Sequence, residues 1–345
     1  MAAMNPRELV LEAIAKRQPP TVPYQLDITE AVRARLAAYF NDPDFEDSLG
    51  NALAQERNEI IEEIGNNEVR DMFRVVWSRE QKGDFGIVKR PLLSEPAFGG
   101  YRFPEPEEAS IRAKCARLVA RKSEQFTIYN IGFSLFERAW SLRGMENVLI
   151  DFALHQDFVD ELLDRIVDYN IKVVDIVAKY PIDCVMFGDD WGQQKGLIMG
   201  PSCWRRFLKL RLARMYSRVK SGGMRVAQHA CGDVSEIFPD LVEIGLDIYN
   251  TFQPEVYDVR EMKRLYGGTV TFYGGVSTQR LLPYAKPDEV RAETMRLMAE
   301  IGAGGGYIVA PTHAIPDDVP TENILAFLDA VRSQKPGQAD SQGGS

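Results

Sequence analysis

From Asp183 onward the chain alternates short β-type runs with longer amphipathic ones. The strand-type runs are Asp183–Phe187 (DCVMF), Arg225–His229 (RVAQH), Asp247–Phe252 (DIYNTF), Val270–Tyr273 (VTFY) and Tyr307–Ala310 (YIVA). Amphipathic segments lie between them at 202–221, 234–244, 259–266 and 287–301. Strand followed by helix at this rhythm predicts βαβ units and a parallel sheet. Pro287 with Asp288 and Glu289, and Pro201 with Ser202, mark helix starts, because the first turn tolerates proline and favours acids. Upstream, Val22–Leu26 and Phe126–Ile131 are further strands, which makes seven. A long helical stretch is expected over about Asp44–Glu63. Met72–Pro91 reads as strands or a hairpin elaboration, with an eighth strand near Val75. The pattern predicts a closed (β/α)8 TIM barrel, spanning 1–335 as a single domain with an N-terminal helical and hairpin elaboration. An open doubly wound sheet is disfavoured, since no GxGxxG follows a strand and no GxxxxGK[ST] occurs.

Composition narrows the function classes. A formal net charge of −9 argues against a binder of nucleic-acid backbones. The local basic run Arg205, Arg206, Lys209, Arg211 and Arg214 has the spacing of a solvated helix face. No apolar run approaches the roughly 20 residues of a membrane span, and Arg7, Glu8 and Glu12 interrupt any signal-peptide pattern. The tail from Pro336 to Ser345, rich in Gly, Ser and Gln, is expected to be disordered, and Met4 resembles a second start. Cys115, Cys184, Cys203 and Cys231 show no CxxC spacing and are expected to be thiols in a cytoplasmic protein. For an enzyme of this kind a homodimer is the commonest arrangement.

Only three histidines occur, and two of them end strands. His229 and Cys231 close the run QHACGD; residues two apart on a strand face the same way, so an imidazole and a thiol can share one point. At the C-terminal end of a barrel strand that point is the catalytic mouth. His313 follows the YIVA strand, whereas His155 sits in an acidic helical stretch and reads as a surface residue. Two imidazoles and a thiolate form a zinc ligand set that leaves one position open, as a catalytic metal needs. Asp189 and Asp190 follow DCVMF, and Glu137 follows FTIYNI, as candidate acids, ligands or ligand-orienting groups. The plainer reading makes an aspartate there a helix cap and pairs Glu137 with Arg138 or Arg143 on the surface. Tyr24, Trp191, Asn250, Gln253 and Tyr273, with Gly275 in a paired-glycine turn, are the candidate substrate-binding positions; with Phe133, Phe136 and Phe252 nearby, their rings suit an aryl or other flat apolar body.

The stretches HACGDVSEIFPDLVEIGLDIYNTFQP, YGGVSTQRLL and GGYIVAPTHAIPDDVPTENILAF resemble the uroporphyrinogen decarboxylase superfamily, and its methyltransferase branch in particular, over roughly Asn5 to Val331. The resemblance implies a TIM barrel with zinc held by a His-x-Cys pair, matched by His229 and Cys231, plus a later Cys. Here His313 stands at that later position. Imidazole in place of thiolate weakens activation of a zinc-bound thiol acceptor and suits a Lewis-acid role on a methoxy or methylthio donor. The implied activity is methyl transfer between a small O- or S-methylated substrate and the cobalt of a corrinoid. No DxHxxG occurs, since Ala227 stands where the Asp belongs, so a separate corrinoid-binding protein is the implied partner. Uroporphyrinogen decarboxylation is the alternative activity, but the segment Val22–Ile28 lacks the arginines that would hold that substrate's carboxylates. A metal-free ligand-binding barrel is the second alternative.

Overall fold

A computed structural model describes residues 4–59, 61–79 and 86–335. In chain order its strands are β1 (Leu53–Arg57), β2 (Ile61–Gly65), β3 (Glu68–Asp71), β4 (Val76–Ser78), β5 (Ile87–Val88), β6 (Phe126–Ile131), β7 (Cys184–Gly188), β8 (Gly192–Gln193), β9 (Gly196–Leu197), β10 (Arg225–His229), β11 (Ile248–Thr251), β12 (Thr271–Val276) and β13 (Tyr307–Pro311). Seven of these form one sheet in the order β1-β6-β7-β10-β11-β12-β13, the sequential topology of a TIM-barrel-like fold. Strands β7, β11, β12 and β13 are buried along their whole length, so both faces are covered and the runs read as nearly continuous apolar sequence. Two compact units divide the chain, one comprising 1–54, 120–127 and 246–345, the other 55–119 and 128–245.

In the second unit β6, β7 and β10 run parallel, with Ile131 opposite Phe187 and Gly188 opposite His229. Helix Gln156–Val177 buries Leu162, Leu163, Ile166, Val167, Val173, Val174 and Val177, a 3.6-residue stripe, and contacts helix Leu210–Ser221. The basic run is paired with acids: Arg205 and Lys209 with Asp240, Arg206 with Asp160, Arg211 with Asp164, and Arg214 with Asp168. Arg211 is buried, so the expected solvated face is partly an ion-pair seam. His155 is exposed, as expected.

The same unit carries a four-stranded antiparallel sheet, β2-β3-β4-β5. This bears out strands within Met72–Pro91 but corrects two expectations. Val75 precedes a strand of this separate sheet and supplies no barrel strand. The helix expected over Asp44–Glu63 is instead a short 3-10 turn, Phe45–Ser48, followed by β1 and β2. Leu53-Ala54-Gln55-Glu56-Arg57 consists of good helix formers, yet long-range pairing outweighs local propensity. Asn58 N–H donates to the Asn130 carbonyl at 2.7 Å, just beyond β1.

In the first unit β11, β12 and β13 are parallel, with Thr271 opposite Ile248 and Phe272 opposite Tyr307. Val22–Leu26 is reduced to a parallel bridge between Tyr24 and Val309. Gln25 N–H donates to Val309 at 3.0 Å, and Ala52 N–H donates to Tyr24 at 2.9 Å, so this segment joins β13 on one side and the approach to β1 on the other. Helix Thr321–Arg332 buries Ile324, Phe327, Leu328 and Val331. The expected disordered tail, 336–345, lies outside the described residues. Among the described residues no helix is long and apolar enough to cross a membrane.

Candidate active site

The turns after β7 and β10 set the geometry. Gly192 and Gly232 meet backbone to backbone: a Cβ on Gly232 would lie 2.3 Å from the Gly192 carbonyl carbon, and Gly232 has φ +78°. Asp233 N–H donates to the Gln193 carbonyl at 2.8 Å across the same contact. Only glycine permits this approach in this backbone conformation. With the two turns locked together, the Cys231 N–H donates to Asp190 Oδ1 at 2.7 Å. The Cys231 Sγ lies 3.7 Å from His229 Nε2, and the same Asp190 oxygen lies 3.9 Å from that nitrogen. His229, Cys231 and Asp190 are half-buried.

Asp189 points the other way. It is fully buried and accepts N–H bonds from Leu135 (3.3 Å), Phe136 (2.9 Å) and Glu137 (2.7 Å), and one from the Trp191 indole. It therefore caps helix Phe136–Arg143 from a neighbouring strand end, satisfying donors that helix leaves open. Burial lifts its carboxyl to about 6, against the opposing pull of those donors. Glu137 lies at the start of that helix and receives an N–H bond from the Asp190 backbone. Burial, and then the charges of Asp190 and Asp189, push its carboxyl well above the usual carboxylate range. Burial and the adjoining Asp190 likewise push the Cys231 thiol far up. The expected surface pairing of Glu137 does not occur, since Arg138 binds Asp71 at 2.5 Å and Arg143 binds Asp151 at 2.7 Å.

The family profile of uroporphyrinogen decarboxylase (URO-D) matches residues 76–334. The chain belongs to the uroporphyrinogen decarboxylase family. That family is a family of enzymes. The uroporphyrinogen decarboxylase of Pseudoalteromonas atlantica is 34% identical over 269 residues, 73% of this chain and 72% of the relative. That of Mannheimia succiniciproducens is 22% identical over 261 residues, 70% of this chain and 69% of the relative. Among solved structures, a methyltransferase from Methanosarcina mazei superposes with a TM-score of 0.70 at 16% identity, over 95% of this chain and 98% of that one. At that identity the likeness is one of fold.

Within this URO-D chain the remaining sequence-predicted positions fall in the first unit, except Trp191. Trp191 is fully buried, edge-on to Trp204 at 5.5 Å, and its indole N–H serves Asp189. Tyr24 donates to the Leu49 carbonyl at 2.6 Å. Asn250 donates to the Tyr273 carbonyl at 2.9 Å, and Tyr273 donates to Asp27 at 2.5 Å. Gln253 is buried, and Gly275 has φ +95° with the Tyr307 hydroxyl 2.7 Å from where a Cβ would be. His313 is exposed on the segment that follows β13. Sequence reading missed Asn58, Asp71, Trp77 and Arg138. Asp71 and Arg138 are buried partners 67 residues apart, and no local pattern announces such a pair.

Proposed function

We propose that the protein is a zinc-dependent methyltransferase that moves a methyl group between a small O- or S-methylated substrate and the cobalt of a corrinoid carried by a separate protein. The observation that carries this reading is the His229–Cys231 pair set among Asp190, Asp189 and Glu137. Burial and the neighbouring carboxylates raise the half-buried Cys231 thiol and Glu137 carboxyl above their ordinary ranges, and a divalent cation brought to the pair would favour the ionised, ligating forms. The proposed ligands are His229, Cys231 and His313, two imidazoles and one thiolate with a position open. A zinc ion bound there would supply Lewis acidity to the heteroatom that carries the methyl group.

The chain's own groups have distinct proposed roles. Asp190 fixes Cys231 through its backbone N–H. Asp189 fixes the start of helix Phe136–Arg143 and so aims Glu137. Glu137, whose carboxyl is pushed well above the usual carboxylate range by burial, is proposed to donate a proton to the oxygen or sulfur that loses its methyl group. Tyr24, Asn250, Gln253, Tyr273 and Gly275 are proposed to border the substrate, and Trp191 to act through Asp189. The protein is proposed to work in the cytoplasm, where its free thiols persist, and as a homodimer.

Metal analysis of the purified protein tests the reading. The expected result is close to one zinc per chain, falling at least tenfold in Cys231→Ala and in His313→Ala. A wild-type protein without zinc overturns it. Family membership favours one competing activity, decarboxylation of uroporphyrinogen. Turnover of that porphyrinogen by metal-free protein would replace the proposal, and the lack of arginine in Val22–Ile28 predicts none.

A further inference from the structure

The two aspartates that follow β7 differ in what can reach them. Asp189 is fully buried, and three backbone N–H groups and an indole N–H take up its carboxylate. Asp190 has 37% of its side chain exposed and His229 beside it 23%, so a solute can meet both. Its Oδ1 accepts the Cys231 N–H at 2.7 Å and lies 3.9 Å from His229 Nε2. The Cys231 Sγ stands 3.7 Å from the same nitrogen and within hydrogen-bonding reach of the Asp190 carboxylate. One nitrogen, one sulfur and one oxygen thus converge, all from the second unit. Among the described residues the only ion-pair partner of Asp190 is the His229 imidazole.

These separations are close to those of a metal's ligand shell. Zinc bonds of about 2.0 Å to nitrogen, about 2.1 Å to oxygen and about 2.3 Å to sulfur set tetrahedral edges of about 3.4 Å between N and O and about 3.6 Å between N and S. The observed 3.9 Å and 3.7 Å exceed those edges by roughly half an ångström and roughly a tenth. A carboxylate offers about four acceptor positions, so the bond from the Cys231 N–H leaves Asp190 able to bind a cation as well. The locked turns at Gly192 and Gly232 hold the carboxylate in this place, whereas Asp189 has neither exposure nor an acceptor position to spare for a metal.

We propose that Asp190 is a metal ligand, supplying a carboxylate oxygen to a divalent cation held by His229 and Cys231. That the cation is zinc and serves methyl transfer rests on the function proposed above; the ligand assignment does not.

Cobalt(II) is a suitable probe, because divalent first-row metals share sites built from such donors, and its thiolate complexes absorb in the near ultraviolet. Absorption spectra are recorded as chelator-treated protein is titrated with cobalt(II). Asp190→Asn keeps an acceptor for the Cys231 N–H but removes the anionic donor; cobalt should bind at least tenfold more weakly while the melting temperature of the metal-free protein holds. Affinity would also fall if Asp190 only oriented Cys231, so a second variant decides. Asp190→Cys should bring a second thiolate to the metal and raise the thiolate-to-cobalt absorption per bound ion about twofold. Asp233→Asn, which removes the same charge close to Cys231 in sequence, should leave the affinity within about threefold. No cobalt binding by the wild type, an unchanged thiolate band in Asp190→Cys, or an equal loss of affinity in Asp233→Asn would each overturn the inference. If the band doubles but the purified wild type carries no zinc, Asp190 stands as a ligand and the zinc-dependent methyl-transfer reading falls. If the wild type carries one zinc per chain and the band is unchanged, that reading stands and the assignment of Asp190 falls.

Discussion

The strand ends of the two units solve opposite problems. At β12 and β13 in the first unit, polar groups are spent on one another. The Tyr307 hydroxyl donates to the Gly274 carbonyl at 2.9 Å, the Thr278 and Thr312 hydroxyls lie 2.9 Å apart, Ser277 donates to Glu255, and Tyr273 donates to Asp27. At β7 and β10 in the second unit, three carboxylates and a thiol are gathered, and burial, followed by the neighbouring carboxylates, pushes the Glu137 carboxyl and the Cys231 thiol upward. The first arrangement resembles a finished scaffold. In the second, a nearby cation would favour the ionised forms of the same groups. The contrast separates polar groups satisfied by one another from ionisable groups pushed away from their ordinary ranges, and it can be broken by mutation.

The largest expected effect is at Asp189, which belongs to the second region by position yet works as a scaffold. Asp189→Ala leaves three backbone N–H groups and an indole N–H buried without their acceptor, and should destabilise the protein by about 4 kcal/mol in chemical denaturation. The same residue sets a pH dependence. Its folded carboxyl is lifted to about 6 from an ordinary 3.8, so the folded chain holds that proton more tightly than the unfolded chain does. The contribution is fully present below about pH 4 and is lost as pH rises through 6, by at most roughly 3 kcal/mol. Stability measured from pH 4 to 7 should decline more in the wild type than in Asp189→Ala; equal slopes would show that the four donors outweigh burial and keep the group ionised.

The next effect in size is at Gly232. A methyl group there meets the Gly192 backbone at 2.3 Å, in a conformation that side chains avoid. Gly232→Ala should cost about 2–3 kcal/mol and, by parting the two turns, should lower zinc content together with stability. A variant that loses stability but keeps full zinc would show that Cys231 is placed by something other than the glycine contact.

How much of this was legible in the sequence follows the same division. Strands β7, β11, β12 and β13 are announced by β-branched and aromatic residues, because a sheet buried on both faces demands them. The His229 and Cys231 pair is legible for the same reason: two-residue spacing at a strand end fixes the face on which both side chains stand. Strand β1 was hidden, since Leu53 to Arg57 are helix formers drawn into a sheet by partners that are distant in sequence. Asp189 shows the limit of reading residue types. A carboxylate at a strand end looks like chemistry, and only the fold reveals that it caps a helix more than fifty positions away. Asn58, Asp71 and Arg138 were invisible for that reason too, because their meeting depends on how a separate antiparallel sheet is placed.

The smallest expected effect gives the sharpest test of the contrast. Tyr273→Phe removes one hydrogen bond to Asp27, whose other carboxylate oxygen still accepts from Gln25 Nε2 at 2.9 Å. Because the acceptor is not left bare, the loss should be only about 1 kcal/mol. Zinc content should not change if the first region is scaffold. Should Tyr273 border the substrate as proposed, KM for a methylated substrate would rise while kcat stays within about twofold, the pattern of lost ground-state binding. A fall in zinc comparable to that of Cys231→Ala would mean that this hydroxyl helps to hold the metal ligands, and the division between a finished scaffold and a waiting centre would have to be redrawn with Tyr273 on the other side.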